Sequence, residues 1–134
     1  MSGKKVLIVD DDPDIRDVLT LVLESQGYQV TIARDGMECF DKLSKEKPDL
    51  MILDLLMPKI DGFAVYKELQ NTKWAAYKDM PILILTSVRE EASRRRYELE
   101  TGQTLNVDRY IEKPVSPEVL INTVAKLINK RKQQ

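Results

Sequence analysis

The segment VLIVDDDPDIRDVL, Val6–Leu19, passes from a short apolar run through a cluster of acids into a helical pattern. The run Val6–Val9 is too short for a helix and contains bulky and β-branched residues, which is typical of a buried central strand. Asp12 followed by Pro13 is typical of a helix N-terminus, with the aspartate as cap and the proline at the first helical position. The segment therefore predicts a strand and a helix joined by an acidic turn.

Four further runs complete the predicted sheet. Leu50–Leu53 and Ile82–Leu85 are also short and continuously apolar, whereas Val30–Ile32 and Val107–Ile111 mix polar and apolar residues, as strands at a sheet edge do. Amphipathic segments at helical spacing separate the runs, so five strands alternate with five helices. This alternation predicts an α/β fold with a parallel sheet covered by helices on both faces. With the second and fifth strands at the edges, the strand order is 2-1-3-4-5, the flavodoxin-like doubly wound (βα)5 arrangement.

Composition excludes several classes of function. The 134 residues are 43% hydrophobic and 32% charged, which is typical of one soluble globular domain. The net charge of −1 gives no bulk attraction to nucleic acid or to an anionic membrane. The chain has no histidine, which excludes Ser–His triads and His-based zinc sites, and its lone Cys39 suits a reducing compartment. We expect a cytoplasmic protein that contacts neither nucleic acid nor membrane directly.

Chemically useful residues follow four of the predicted strands. Asp10 and Asp11 follow the first strand, Asp54 ends the third, Thr86 ends the fourth and Lys113 follows the fifth. Because doubly wound folds bind ligands beyond the carboxyl ends of their strands, we expect these side chains to lie close together. The predicted site combines three carboxylates, a hydroxyl and an ammonium.

Those groups suit phosphoryl transfer. Carboxylate oxygens are hard ligands that favour Mg²⁺, with Mn²⁺ as an acceptable substitute. A lysine and a hydroxyl opposite the ion could hold the oxygens of a phosphoryl group, and a carboxylate is the only sensible nucleophile. Each residue also has a purely structural interpretation, as a helix cap, a strand end or a solvated side chain. The coincidence at four strand ends favours the functional interpretation.

The motifs VLIVDDDPDIR, DLLMPKIDGF, ILTS and YIEKP together resemble the receiver domain of bacterial two-component response regulators, in particular stand-alone, chemotaxis-regulator-like ones. The resemblance covers essentially the whole chain. It implies that Asp54 is the phosphoacceptor that attacks a phosphohistidine of a partner protein. It also implies that Asp11, Asp54 and the backbone carbonyl of Leu56 bind Mg²⁺ directly, while Asp10 acts indirectly through water.

The resemblance assigns further roles around the phosphoryl group. Thr86 would hydrogen-bond to the group once it is attached, and Lys113 would pair with it from the other side. Thr86 and Tyr110 would form a switch that changes the surface made by the fourth helix, the fifth strand and the fifth helix, the α4-β5-α5 face. The Lys113–Pro114 peptide bond would be cis, which is rare elsewhere.

The four acids of the opening segment then divide by role. Asp10 and Asp11 face the ion, whereas Asp12 caps the first helix. Asp14 lies in the first turn of that helix, where the helix dipole favours an acid.

The resulting expectation is a single receiver domain over residues 1–134, with a core of about 4–130 and a short basic C-terminal tail. It would receive phosphate from a histidine kinase or a phosphotransfer protein and act on a downstream protein target that the sequence does not identify. We expect a monomer or a weak dimer through the α4-β5-α5 face. It would catalyse only its own phosphorylation and dephosphorylation and would not turn over a separate substrate.

The chain departs from the family pattern in two places. The segment between Thr86 and Lys113 is longer than usual, and its charged Arg94–Arg96 stretch fits either a solvated helix or a distinctive docking surface. Leu56 and Val88 are apolar at positions that influence how water reaches the acyl phosphate. Since neither side chain can orient water, we expect slow self-dephosphorylation.

Three alternatives remain open. A nucleotide-binding doubly wound domain needs glycines after the first strand, and the turn VDDDPD has none. A Mg²⁺-dependent phosphatase with an aspartate nucleophile commonly has a second acid two residues later, where this chain has Leu56. A pseudo-receiver that binds partners without phosphorylation has usually lost one of the key residues, and here all are present. Reaction with acetyl phosphate or beryllofluoride would test the pseudo-receiver alternative, and turnover of a small phosphomonoester would favour the phosphatase.

Overall fold

The computed structural model describes residues 3–55, 62–86, 98 and 109–132. Its strands are β1 (Lys5–Val9), β2 (Gln29–Ala33), β3 (Leu50–Asp54), β4 (Ile82–Thr86) and β5 (Arg109–Glu112). They form one parallel sheet in the order β2-β1-β3-β4-β5. The predicted fold class and strand order are both confirmed.

The three central strands are buried on both faces. In β1, Val6 and Ile8 belong to one hydrophobic core while Leu7 and Val9 belong to the other, and all four are fully buried. Successive side chains of a strand point to opposite faces, so a strand between two helical layers needs apolar residues at every position. This is why the central strands are continuous apolar runs in the sequence.

The helical elements are α1 (Pro13–Ser25), α2 (Gly36–Glu46), α3 (Gly62–Leu69), a 3₁₀ helix (Thr72–Tyr77) and a C-terminal helix (Pro117–Lys132), which is the α5 of the predicted α4-β5-α5 face. The predicted α4 of that face falls between β4 and β5, where only Glu98 is described. Side chains of α1 and the C-terminal helix share one core, and those of α2, α3 and the 3₁₀ helix share the other. The sheet is therefore covered on both faces, as predicted. None of the described helices combines the length and the apolar character needed to cross a membrane.

The start of α1 follows the predicted signals. The Asp12 carboxylate accepts a hydrogen bond of 2.9 Å from the backbone N–H of Asp14, and Pro13 is the first helical residue. Beyond the helix, Gly27 adopts a φ of 89°, a conformation that glycine tolerates without steric cost. The C-terminal helix begins at Pro117, with the hydroxyl of Ser116 accepting a bond of 3.4 Å from the N–H of Val119.

The fifth strand differs slightly from its prediction. The sequence predicted Val107–Ile111, whereas the described strand is Arg109–Glu112. It reaches one residue further because Glu112 is the register partner of Thr86 on β4. Residues 107 and 108 lie outside the described part of the chain.

The 3₁₀ helix between α3 and β4 was not predicted. Its Trp74 is 6% exposed, stacks on Phe40 of α2 with ring centroids 5.4 Å apart, and donates a 2.8 Å hydrogen bond to Glu68. Tyr77 donates a 2.6 Å bond from its hydroxyl to the carbonyl of Leu43. These contacts attach the segment that leads into β4 to the face of the molecule covered by α2.

Candidate functional site

Three carboxylates meet at the carboxyl edge of the sheet. Asp10 and Asp11 directly follow β1, and Asp54 is the last residue of the neighbouring strand β3. One carboxylate oxygen from each lies within 4.8 Å of the others. Asp10 is 1% exposed and Asp54 is 2% exposed, whereas Asp11 is open to solvent. The structure thus brings together all three acids that the sequence predicted for this edge.

Lys113 approaches the same carboxylates from the end of β5. Its Nζ atom lies 3.3 Å from Oδ1 of Asp54 and 3.9 Å from Oδ2 of Asp10. Its side chain is 19% exposed, so the ammonium is partly withdrawn from water and interacts strongly with the acids. The Lys113–Pro114 peptide bond is cis, as the resemblance implied.

The pKa of the Asp10 carboxyl is raised in this arrangement. Burial is the main reason why the pKa of its carboxyl is raised, and the negative charges of Asp11 and Asp12 add to that effect. The N–H of Asp12 donates a 2.9 Å hydrogen bond to Oδ1 of Asp10 and, together with Lys113, opposes the shift. Within the described residues, the buried Oδ2 atom of Asp10 accepts no hydrogen bond.

These features fit a hard divalent cation. A buried carboxylate oxygen without a donor is unfavourable, and a cation beside it would remove that cost. Among the described residues, three carboxylates lie beside the ammonium of Lys113, so this set has an excess of negative charge. Such oxygen ligands match the preference of Mg²⁺ and Mn²⁺.

The other predicted site residues are described only in part. Thr86 ends β4 at the same edge of the sheet, but its side chain is outside the description, as is the whole of Leu56. Tyr110 on β5 is half-buried and packs against the core beneath α2 and α3. Val88 and the Arg94–Arg96 stretch also lie outside the described residues.

The sequence interpretation gave no site role to two residues near the acids. Gly62 is the first residue of α3, and its N–H donates a 2.8 Å hydrogen bond to the carbonyl of Leu55, next to Asp54. Arg16 in α1 donates a 2.9 Å bond from its guanidinium to the backbone carbonyl of Asp10. The sequence does contain a signal for Arg16. A cation in the first turns of a helix is disfavoured by the helix dipole, so a nearby group that accepts a hydrogen bond from it is expected.

The sequence profile of the response regulator receiver domain matches residues 6–125. The chain belongs to the response regulator receiver family. The response regulator MprA of Mycobacterium avium (strain 104) is 35% identical over 130 residues, which cover 97% of this receiver chain and 53% of that protein. This receiver therefore spans about half the length of the curated relatives it matches.

Solved receiver structures agree with the fold. A putative response regulator from Chloroflexus aurantiacus J-10-fl superposes with a TM-score of 0.78 at 32% identity, covering 95% of this chain and 98% of that one. The chemotaxis protein CheY4 of Vibrio cholerae superposes with a TM-score of 0.76 at 32% identity, covering 93% and 98%.

Proposed function

We propose that this receiver domain accepts a phosphoryl group onto Asp54 from a phosphohistidine of a histidine kinase or phosphotransfer protein. A carboxylate oxygen of Asp54 forms a bond to phosphorus while the bond between phosphorus and the imidazole nitrogen breaks. The bonding electron pair remains on the imidazole, and the product on this chain is an acyl phosphate.

One observation carries the proposal. The Asp54 carboxylate is 2% exposed, lies 3.3 Å from the Lys113 ammonium, and is grouped within 4.8 Å with the carboxylate oxygens of Asp10 and Asp11. A helix cap or a solvated acid does not require a neighbouring ammonium and two further carboxylates. A nucleophile that must receive a highly charged group at a defined position does require such groups around it.

The residues would hold Mg²⁺, or Mn²⁺ in its place, in the following way. Asp11, Asp54 and the backbone carbonyl of Leu56 would bind the ion directly, and Asp10 would position it through water. When bound, the ion supplies neutralisation of the charge on the phosphoryl oxygens. The buried Oδ2 of Asp10, which accepts no hydrogen bond from the described residues, supports an indirect role, because a bound water could donate a hydrogen bond to it.

Lys113 and Thr86 would act on the transferred group. The Lys113 ammonium contacts Asp54 at 3.3 Å and would then pair with a phosphoryl oxygen. The hydroxyl of Thr86, at the end of the adjacent strand, would donate a hydrogen bond to another. Movement of Thr86 would be coupled to the position of the Tyr110 ring, and so to the α4-β5-α5 face that a downstream protein target would bind.

The same proposal covers the behaviour of the protein in the cell. We expect this receiver domain to be cytoplasmic, to bind neither nucleic acid nor membrane directly, and to be monomeric or weakly dimeric through the α4-β5-α5 face. Its own dephosphorylation would be slow because Leu56 and Val88 offer no group to orient a hydrolytic water. No separate substrate would be turned over.

The test is formation of a beryllofluoride adduct in the presence of Mg²⁺. The adduct should form on the natural chain and not on Asp54→Asn, with ¹⁹F NMR as the measurement. Loss of Asp11 in Asp11→Ala should abolish Mg²⁺-dependent phosphorylation by acetyl phosphate. Asp12→Ala removes the cap of α1 instead and should mainly lower stability, by about 1 kcal/mol. A natural chain that takes up neither phosphate nor fluoride complex would be a pseudo-receiver, and the proposal would be wrong.

A further inference from the structure

We propose that Arg16 is a positioning residue that holds the Asp10–Asp11 turn in the geometry required for divalent cation binding. The inference rests on the proposed function, since it takes the three acids to be a cation site. Arg16 lies in α1, and its guanidinium donates a hydrogen bond to the backbone carbonyl of Asp10.

Asp10 is held at three of its four polar groups. Its backbone N–H donates a 3.1 Å hydrogen bond to the carbonyl of Ala33, which ties the end of β1 to β2. Its Oδ1 atom accepts the bond from Asp12, and its carbonyl accepts the 2.9 Å bond from Nη1 of Arg16. The remaining polar atom is Oδ2, the one that is buried and accepts no hydrogen bond within the described parts of the chain. The three bonds therefore fix the direction in which that oxygen points.

The bond from Arg16 has a second effect, on Asp11. The carbonyl of Asp10 belongs to the peptide unit that joins Asp10 to Asp11, and peptide units are planar. Holding that carbonyl limits rotation of the whole plane and so limits the direction of the Cα–Cβ bond of Asp11. Asp11 is exposed and depends more on its backbone for orientation than a side chain packed in a core does.

Arg16 is itself well anchored for this task. Its own N–H donates a 3.0 Å hydrogen bond to the carbonyl of Asp12, so both ends of the residue bond to the acidic turn. The position also opposes the helix dipole, which disfavours a cation near a helix N-terminus. The bond to the Asp10 carbonyl offsets this effect.

The charge of Arg16 and its positioning role lead to opposite expectations for the Mg²⁺ affinity of a variant that lacks it. Its positive charge lies beside an acidic site, so by Coulomb's law alone its loss should strengthen the binding of a cation. Loss of positioning should weaken binding, because Mg²⁺ demands near-ideal ligand geometry. The sign of the change in affinity therefore separates the two effects.

The experiment measures the Mg²⁺ dissociation constant of the full chain by isothermal titration calorimetry, with no phosphoryl donor present. Arg16→Met keeps the apolar stem and removes the donor and the charge. We expect about tenfold weaker Mg²⁺ binding, within the range seen when a residue that orients metal ligands is lost. Arg16→Lys keeps a charged donor and should recover most of the affinity. Urea unfolding of each variant verifies that the protein is folded during the titration.

Arg34→Met is the matched control. Arg34 directly follows β2 at the same edge of the sheet, but its side chain is 69% exposed and pairs with Glu38. Its loss removes the same charge and should leave the Mg²⁺ affinity unchanged or slightly raised. Three results would each overturn the role of Arg16 and leave the receiver function intact. They are unchanged or tighter Mg²⁺ binding by Arg16→Met, an equal loss of Mg²⁺ affinity in Arg34→Met, and no recovery of affinity in Arg16→Lys. A natural chain that binds no Mg²⁺ would overturn both.

Discussion

Replacing Gly62 with alanine should disturb the phosphoacceptor strand directly. A Cβ atom at this position would lie 2.4 Å from the carbonyl oxygen of Asp54 and 2.6 Å from Cα of Leu55. Non-bonded heavy atoms normally approach to about 3.5 Å, so roughly 1 Å of displacement has to be absorbed. The atoms in the way are backbone atoms of β3 and its exit, which cannot rotate aside as the end of a flexible side chain can.

Two opposing effects set the size of the change in stability. Overpacking of this kind costs about 1–3 kcal/mol. Alanine favours a helix over glycine by at most about 1 kcal/mol, and Gly62 is only the first residue of α3. The clash therefore prevails, and we expect Gly62→Ala to lower the free energy of unfolding by about 1–2 kcal/mol.

The assay is urea unfolding of the two proteins, paired with a Mg²⁺ titration. Since metal–ligand distances tolerate only about 0.2 Å, displacement of Asp54 should also weaken Mg²⁺ binding several-fold. The control is Ala64→Gly, at an exposed position of the same helix, which changes helix propensity without a clash. It should lose about 1 kcal/mol with unchanged Mg²⁺ affinity. A Gly62→Ala protein with the unfolding midpoint and Mg²⁺ affinity of the natural chain would refute this reasoning.

Three further predictions concern residues away from the acids. Hydrogen bonds from Arg34 lower the pKa of Glu38 to about 2, so the pair stabilises the fold above the ordinary pKa of 4.5 and loses that contribution as pH falls toward 2. Glu38→Gln should therefore lower the urea midpoint at pH 7 and not at pH 2, and the effect should be small because the pair is exposed to solvent. Equal losses at both pH values would contradict the lowered pKa of Glu38. Burial raises the pKa of the Cys39 thiol to about 12. A disulfide reagent at pH 8 should therefore label the urea-unfolded chain and leave the native chain unlabelled for minutes. Fast labelling of the native chain would contradict the burial of Cys39. Tyr77→Phe removes the bond to the carbonyl of Leu43 and should cost about 1 kcal/mol in urea unfolding, and an unchanged midpoint would mean that water replaces the bond.

Several features of the fold could be predicted from local sequence alone. Val6–Val9 and its two central counterparts are apolar at every position because both faces of those strands are buried, and that requirement is visible in the sequence as a continuous run. The mixed polarity of β2 and β5 identified the edges of the sheet. Asp12 was recognised as a cap because a cap acts on backbone N–H groups only two or three residues away.

The approximate composition of the site was also predictable. In a parallel sheet, residues that end neighbouring strands lie at one edge, so strand order alone predicted that Asp10, Asp11, Asp54 and Lys113 would be neighbours. Strand order cannot predict how exposed each of these side chains is. Asp10 and Asp54 are buried and Asp11 is exposed, a difference that depends on the packing of the helices around them.

Contacts between distant elements were decided only by the tertiary structure. The approach of Gly62 to the backbone of Asp54, the bond from Arg16 to Asp10 and the stacking of Trp74 on Phe40 each join segments whose separation in space depends on how helices pack on the sheet. The sequence by itself determined which residues are apolar, which cap a helix and which end a strand, since those properties depend on near neighbours and on periodicity. Tertiary packing determined the ångström-scale distances, because they depend on the volumes of many side chains in two cores at once.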